Sequence, residues 1–180
     1  MLTPDNSWYW QFDTKTNTLM LELGSELLFC VSIPAKQLTV EARSISNQIF
    51  TVADVAAYQT FKEGMVDLPL SEARKSELAL NAVAVYRFQK PLMLKSWFFV
   101  PQVGVDLDWG EVVILKTTED YARFIIIETD GNSSLCMLAD VTPIKLDHDK
   151  ELNFSDTIRV MNNRISPYSG SLPMDLALVG

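Results

Sequence analysis

One histidine, two cysteines and seven glycines among 180 residues leave little for catalysis or metal binding to use. The single His148 lies between Asp147 and Asp149 in a polar stretch, which reads as a solvated turn rather than a base or a ligand. With one His, and with Cys30 and Cys136 106 positions apart, the usual zinc ligand sets cannot form, so no metal and no cofactor are expected. A Ser–His or Cys–His nucleophile would need His148 buried beside it, and its acidic neighbours argue against that. No two glycines lie within five positions of each other, which removes dinucleotide fingerprints and phosphate loops. No apolar run reaches about 18 residues, so no transmembrane helix is expected. The start, Met1 to Trp8, has no basic stretch followed by an apolar one, so no secretory signal is expected. Both cysteines sit in apolar runs and read as buried free thiols of a reducing cytoplasm.

Cations are also short: 15 Lys and Arg face 23 Asp and Glu, for a formal net charge of −8. Such a field does not attract nucleic acid or an anionic membrane. An acidic partner would have to be met by a local basic patch. The balance of 8 cations to 13 acids after Gln89 likewise speaks against a single-strand-binding barrel there.

What is present is 48% hydrophobic and patterned. Residues 7–33 alternate with period two: Trp8, Trp10 and Phe12, then Leu19, Leu21 and Leu23, then Leu27, Phe29, Val31 and Ile33. This predicts a β-meander with turns at Asp13–Asn17 and Gly24-Ser25, closed by Pro34. Thr51-Val52-Ala53-Asp54 resembles a capping box for a helix carrying Val55, Tyr58 and Phe61 and ending at Gly64. Ser71 caps a second helix that runs to Phe88, and only Asn81 is polar from Leu78 to Tyr86. Short strands are predicted at Trp97–Val100, Val112–Leu115, Phe124–Ile127, Leu135–Leu138 and Asp156–Val160, with a short helix capped by Ser155 as the rival for the last. Ser166–Gly180 reads as loosely ordered. The expected fold is α+β. An N-terminal α/β domain (1–89) holds the meander and two helices, a small β-barrel-like domain (90–167) follows, and a tail (168–180) ends the chain.

Two windows hold cations and no acid: Leu78–Val105 with Arg87, Lys90 and Lys95, and Thr157–Met174 with Arg159 and Arg164. Met93, Trp97 and Met161 accompany them. Arg87 and Lys90 could simply answer a helix dipole. If the two windows share a surface, an apolar centre with a basic rim describes a recognition patch for an acidic protein. The aromatic face of Trp8 and Trp10 reads first as core. An alternative from another class is a small hydrolase or transferase using loop carboxylates such as Asp106 and Asp108, although loop carboxylates are usually just solvated.

Certain segments occur together and in order: Pro4-Asp5 through Trp8-x-Trp10, Leu19-Met20-Leu21-Glu22-Leu23, Leu80-Asn81-Ala82, Arg87-x-x-Lys90-Pro91-x-Met93-x-Lys95-Ser96-Trp97 and Met161-Asn162-x-Arg164. In these, from about Thr3 to Pro167, the chain resembles the ZapC family of bacterial Z-ring-associated cell-division proteins. The loop Gln102–Trp109 and the tail carry no likeness. The resemblance implies a non-enzymatic cytoplasmic protein at the division site. It also implies binding to polymers of the tubulin-like GTPase FtsZ, with protofilament bundling and suppression of GTPase activity. It further implies an N-terminal α/β and a C-terminal β-barrel-like domain, each with a recognition pocket. Motif by motif, it assigns Lys90, Lys95, Arg159 and Arg164 to a basic rim and Met93, Trp97 and Met161 to its apolar floor. Leu21, Trp8 and Trp10 are its candidates in the N-terminal domain. The expected state is a monomer.

Overall fold

The first two meander strands form as their alternation dictates in the computed structural model, which describes residues 3–24, 27–104 and 106–170, whereas the third is shorter than the Leu27–Ile33 pattern. Strands β1 (Tyr9–Asp13), β2 (Thr18–Glu22) and β3 (Leu28–Cys30) pair antiparallel, and β4 (Gln48–Ile49) adds to β1, giving the order β3-β2-β1-β4. The first turn is built by Asp13, whose carboxylate accepts from the Lys15 N–H at 2.9 Å and the Thr16 hydroxyl at 3.0 Å. Those bonds hold its carboxyl below the usual aspartate value. Register then follows, with Trp10 opposite Leu21 and Phe12 opposite Leu19. Ser25 of the second predicted turn lies outside the described residues.

Cys30 corrects an expectation, because it is exposed. It pairs with Met20 on an edge strand, on the face away from Leu21, and a terminal strand has only one neighbour to cover it.

Helix α1 (Val52–Gly64) starts on the predicted box: the Thr51 hydroxyl accepts from the Asp54 N–H at 3.1 Å, and Asp54 accepts from the Thr51 N–H at 2.9 Å. Helix α2 (Glu72–Phe88) is capped by Ser71, which accepts from the Arg74 N–H at 3.2 Å. Its middle, Leu78–Val85, is buried all round, while Tyr86 is exposed. The buried Asn81 is satisfied, since its side-chain oxygen accepts from the Ser32 N–H at 2.9 Å just after β3.

The second half is an antiparallel sheet. Strands β5 (Val112–Lys116), β6 (Tyr121–Thr129) and β7 (Ser133–Leu138) form consecutive hairpins; β8 (Ile144–Lys145) and β9 (Glu151–Leu152) pair separately; β10 (Thr157–Met161) and β11 (Ile165–Pro167) take the outer positions, giving β10-β7-β6-β5-β11. Among the described residues, β10 and β11 do not pair with each other, so the sheet stays open. One face carries a core of Val113, Leu115, Phe124, Ile126, Cys136, Leu138, Ile158, Val160 and Ile165, with Phe99 against it. Burial there pushes the Cys136 thiol up to about 12. The β6–β7 ladder slips between Ile126 and Glu128, a bulge.

Two further expectations change. Trp97–Val100 is not a strand, because Ser96–Phe98 forms a 3-10 turn closed by the Phe99 N–H on the Ser96 carbonyl at 3.0 Å. Tertiary bonds described below fix that turn and override the β propensity of Trp and Phe. Ser166 and Pro167 are not loose, because they belong to β11 and pair with Ile114 and Val113. Pro167, which has no N–H to give, sits on an edge strand as sterics require. Of the predicted tail, residues 171–180 lie outside the described residues.

The chain is α+β and divides into two compact units, Met1–Lys62 with Leu70–Pro91, and Glu63–Pro69 with Leu92–Gly180. In the second, a Cβ on Gly64 would fall 1.8 Å from the Gly110 carbonyl oxygen, so only glycine fits there.

Candidate functional site

Of the two regions predicted to meet a partner, the N-terminal one is interior. Trp8, Trp10 and Leu21 are buried, Trp10 and Leu21 completely. Trp8 packs edge-on against Phe50 and Tyr58, and Trp10 against Phe88, with centroids 5.2–6.5 Å apart. These side chains are therefore part of the packed interior of the first unit. The core reading of the Trp8 and Trp10 alternation is the one their packing follows.

The same region holds a buried polar hub. Oδ2 of Asp54 accepts from the Trp10 indole N–H at 3.1 Å, from the Thr51 N–H at 2.9 Å and from Arg87 at 2.6 Å. The capping carboxylate of α1 thus also ties the sheet to α2. Arg87, whose guanidinium also lies over the Phe88 ring at 4.8 Å, is committed to this interior pair. Sequence showed the cap and the cation separately, but 33 residues apart nothing marked them as partners.

In the second unit the predicted residues do converge. The extended stretch before the 3-10 turn runs parallel to β10: Leu94 bridges Arg159, and the Lys95 N–H donates to the Arg159 carbonyl at 2.9 Å. Ser96 then makes the junction. Its hydroxyl accepts from the Met161 N–H at 2.7 Å, and its carbonyl accepts from Arg164 Nε at 3.2 Å. Lys95, Ser96, Arg159, Met161 and Arg164 are therefore held together, with Trp97 next in the chain, by one main-chain bond and two bonds at Ser96, all spanning more than 60 positions. Met93 is 82% exposed and Trp97 69%. The Trp97 ring lies against Phe98 at 5.4 Å, and Lys150 Nζ stands 6.0 Å from the Phe98 ring. Sequence reasoning missed Ser96, Phe98 and Lys150. Ser96 lay inside a quoted segment, but a serine between two large side chains gives no sign that it will join two strands.

The cations differ in their partners. Lys95 is exposed, and no acid pairs with it among the described residues. Arg164 donates to the Ser96 carbonyl and, at 2.9 Å, to the Asn163 side-chain oxygen, both neutral, so its charge stays uncompensated by these bonds. Arg159 is ion-paired with Glu128 and donates to the Ser133 hydroxyl at 3.1 Å. Lys90 belongs to the other unit, where its N–H donates to the Gln37 carbonyl at 2.7 Å; its side chain is exposed and has no acid partner among the described residues. It is not among the residues bonded into the cluster around Ser96.

The carboxylates of the alternative reading are ordinary loop groups. Asp106 and Asp108 are exposed, and Asp108 accepts from the Trp109 N–H at 2.8 Å. His148 is exposed in the turn between β8 and β9, which Asp147 builds by accepting from the Asp149 and Lys150 N–H groups at 2.8 Å. Among the described residues, no three His, Cys, Asp or Glu side chains are grouped to hold a metal, and no helix is long and apolar enough to cross a membrane.

Comparison with known proteins gives one consistent result. The sequence model described as "Cell-division protein ZapC, N-terminal" matches residues 1–90, and that described as "Cell-division protein ZapC, C-terminal" matches residues 91–171. The chain is similar over the full length of both sequences to the cell division protein ZapC of Photobacterium profundum, at 51% identity, and to that of Aliivibrio salmonicida, at 42%. It is 40% identical to that of Vibrio cholerae over 92% of each chain.

Proposed function

The chain belongs to the ZapC family of cell-division proteins, and from that premise we propose that it is a non-enzymatic adaptor that binds polymerised FtsZ in the cytoplasm at the division site. It stabilises and bundles the protofilaments and lowers their GTPase activity. The observation that carries the contact is the exposed Met93-x-Lys95-x-Trp97 stretch, an apolar surface beside cations that no acid of the described chain neutralises.

The physics supports such a contact. The protein carries −8, and FtsZ, as the resemblance implies, is also acidic. Two acidic proteins repel at long range, so attraction has to come from local cations, Lys95 and Arg164 in the second unit and Lys90 on its own in the first, and it weakens as salt rises. Trp97 and Met93 supply the apolar centre. A ligand that favours the polymer must bind it more tightly than the free subunit, since equal affinity shifts nothing. Lower GTPase activity then follows from restrained subunit exchange and asks for no catalytic group here.

The test is co-sedimentation with FtsZ under GTP at low and high salt, with analytical ultracentrifugation of the protein alone expected to give a monomer. Lys90→Glu with Lys95→Glu abolishes pelleting while the melting temperature stays near wild type. Undiminished pelleting of that folded variant would overturn the basic contact.

A further inference from the structure

Arg159 is the one cation of the cluster around Ser96 that the described chain already neutralises. It stands on β10 opposite Leu135, and Leu135 stands opposite Glu128 on β6, so the three side chains share one face of the sheet. The Arg159 guanidinium reaches across Leu135 to Glu128 and is steadied by the Ser133 hydroxyl at 3.1 Å. Asp130 also faces it: the carboxylate is fixed by the Asn132 and Ser133 N–H groups at 2.9 and 2.8 Å and feels the charge of Arg159. Glu128 comes directly after the slip in the β6–β7 ladder. A bulge re-aims the side chain that follows it. Half of the Glu128 side chain is exposed, whereas that of Arg159 is mostly covered. The carboxylate is therefore the displaceable member of the pair.

We propose that Glu128 is an intramolecular competitor, occupying Arg159 in place of a carboxylate of the acidic partner and so setting the affinity of the Lys95–Trp97–Arg164 surface. This rests on the reading of that surface given above. The backbone carbonyl of Arg159 holds Lys95 in place, so the masked cation and the free one belong to one rigid frame. An incoming carboxylate has to exchange with Glu128 to gain Arg159, and it gains Lys95 and Arg164 without exchange. Removing the competing charge leaves every positioning bond of the frame intact and adds one positive charge to the surface.

The experiment is co-sedimentation of Glu128→Gln with polymerised FtsZ across a salt series. The competitor role predicts binding about two- to fivefold tighter at low salt, with the gain closing at high salt. Glu119→Gln, in the β5–β6 turn, changes net charge equally and leaves binding unchanged. On an Arg159→Gln background, Glu128→Gln brings no gain, because the cation it competes for is gone. A folded Glu128→Gln protein that binds as wild type or more weakly overturns the inference, as does an equal gain from Glu119→Gln. Wild-type protein that does not pellet overturns the functional reading, and the inference with it.

Discussion

The two units use tryptophan and arginine in opposite ways. In the first, Trp10 is sealed and its indole N–H and Arg87 both end on the buried Asp54. In the second, Trp97 stands in solvent beside Lys95, and among the described residues Arg164 is held by neutral oxygens. An aromatic residue on the inward phase of a strand paired on both sides is sealed, whereas one on a short turn leaning on a sheet edge is held outward. Residue type decides neither outcome. The number of covered sides does.

Two single substitutions test this contrast most sharply. Asp54→Ala strands Arg87 and the Trp10 indole, and breaking a buried pair from one side costs about 3–5 kcal/mol. Trp97→Ala, at an exposed site, stays within about 0.5 kcal/mol of wild type. Urea melts of the two variants check both values, and comparable losses would erase the distinction.

A middle-sized effect is expected from the thiols, one per unit. Cys30 is exposed, while Cys136 is buried and its thiol is pushed up to about 12. Because the thiolate is the reactive form, a thiol reagent at pH 8 labels Cys30 promptly and Cys136 only as the second unit opens. Two equally fast labels would contradict the packed core. The sign for stability follows as well. A thiol whose folded value is raised favours the native state fully below the unfolded value of 9.0, and that contribution is lost as pH climbs toward about 12.

The smallest effect separates nothing and so serves as a control on the comparison. Asp13 in the first unit and Asp130 in the second are turn carboxylates held below 3.8 by backbone N–H bonds. A depressed folded value contributes stability above 3.8 that disappears as pH falls through the folded value. Asp13→Asn and Asp130→Asn should each flatten the acid limb of a stability profile slightly and to a similar degree.

Much of the fold was legible because it rests on local rules. The first two meander strands, the Thr51–Asp54 box, the Ser71 cap and the apolar strands β5, β6, β7 and β10 are all written in spacing. What was not legible depends on who covers whom. Cys30 sits in the same kind of apolar run as Cys136, yet it lies on the open side of an edge strand. Trp97–Val100 has the composition of a strand, but Ser96 is claimed by Met161 and Arg164, far along the chain. β4, β8 and β9, at two residues each, are too short to carry a period. At the candidate surface, the cations were visible as acid-free windows. That Arg87 is spent in the core and Arg159 on Glu128 was not, because both acids lie outside those windows.

The bridge between the Lys95 N–H and the Arg159 carbonyl belongs to the main chain and depends on no side chain at either position. Positions 93, 95 and 97 can therefore exchange size, charge or aromaticity while the frame that presents them stays where it is. A surface mounted in this way can follow a drifting partner one substitution at a time, without each step having to be compatible with folding as well.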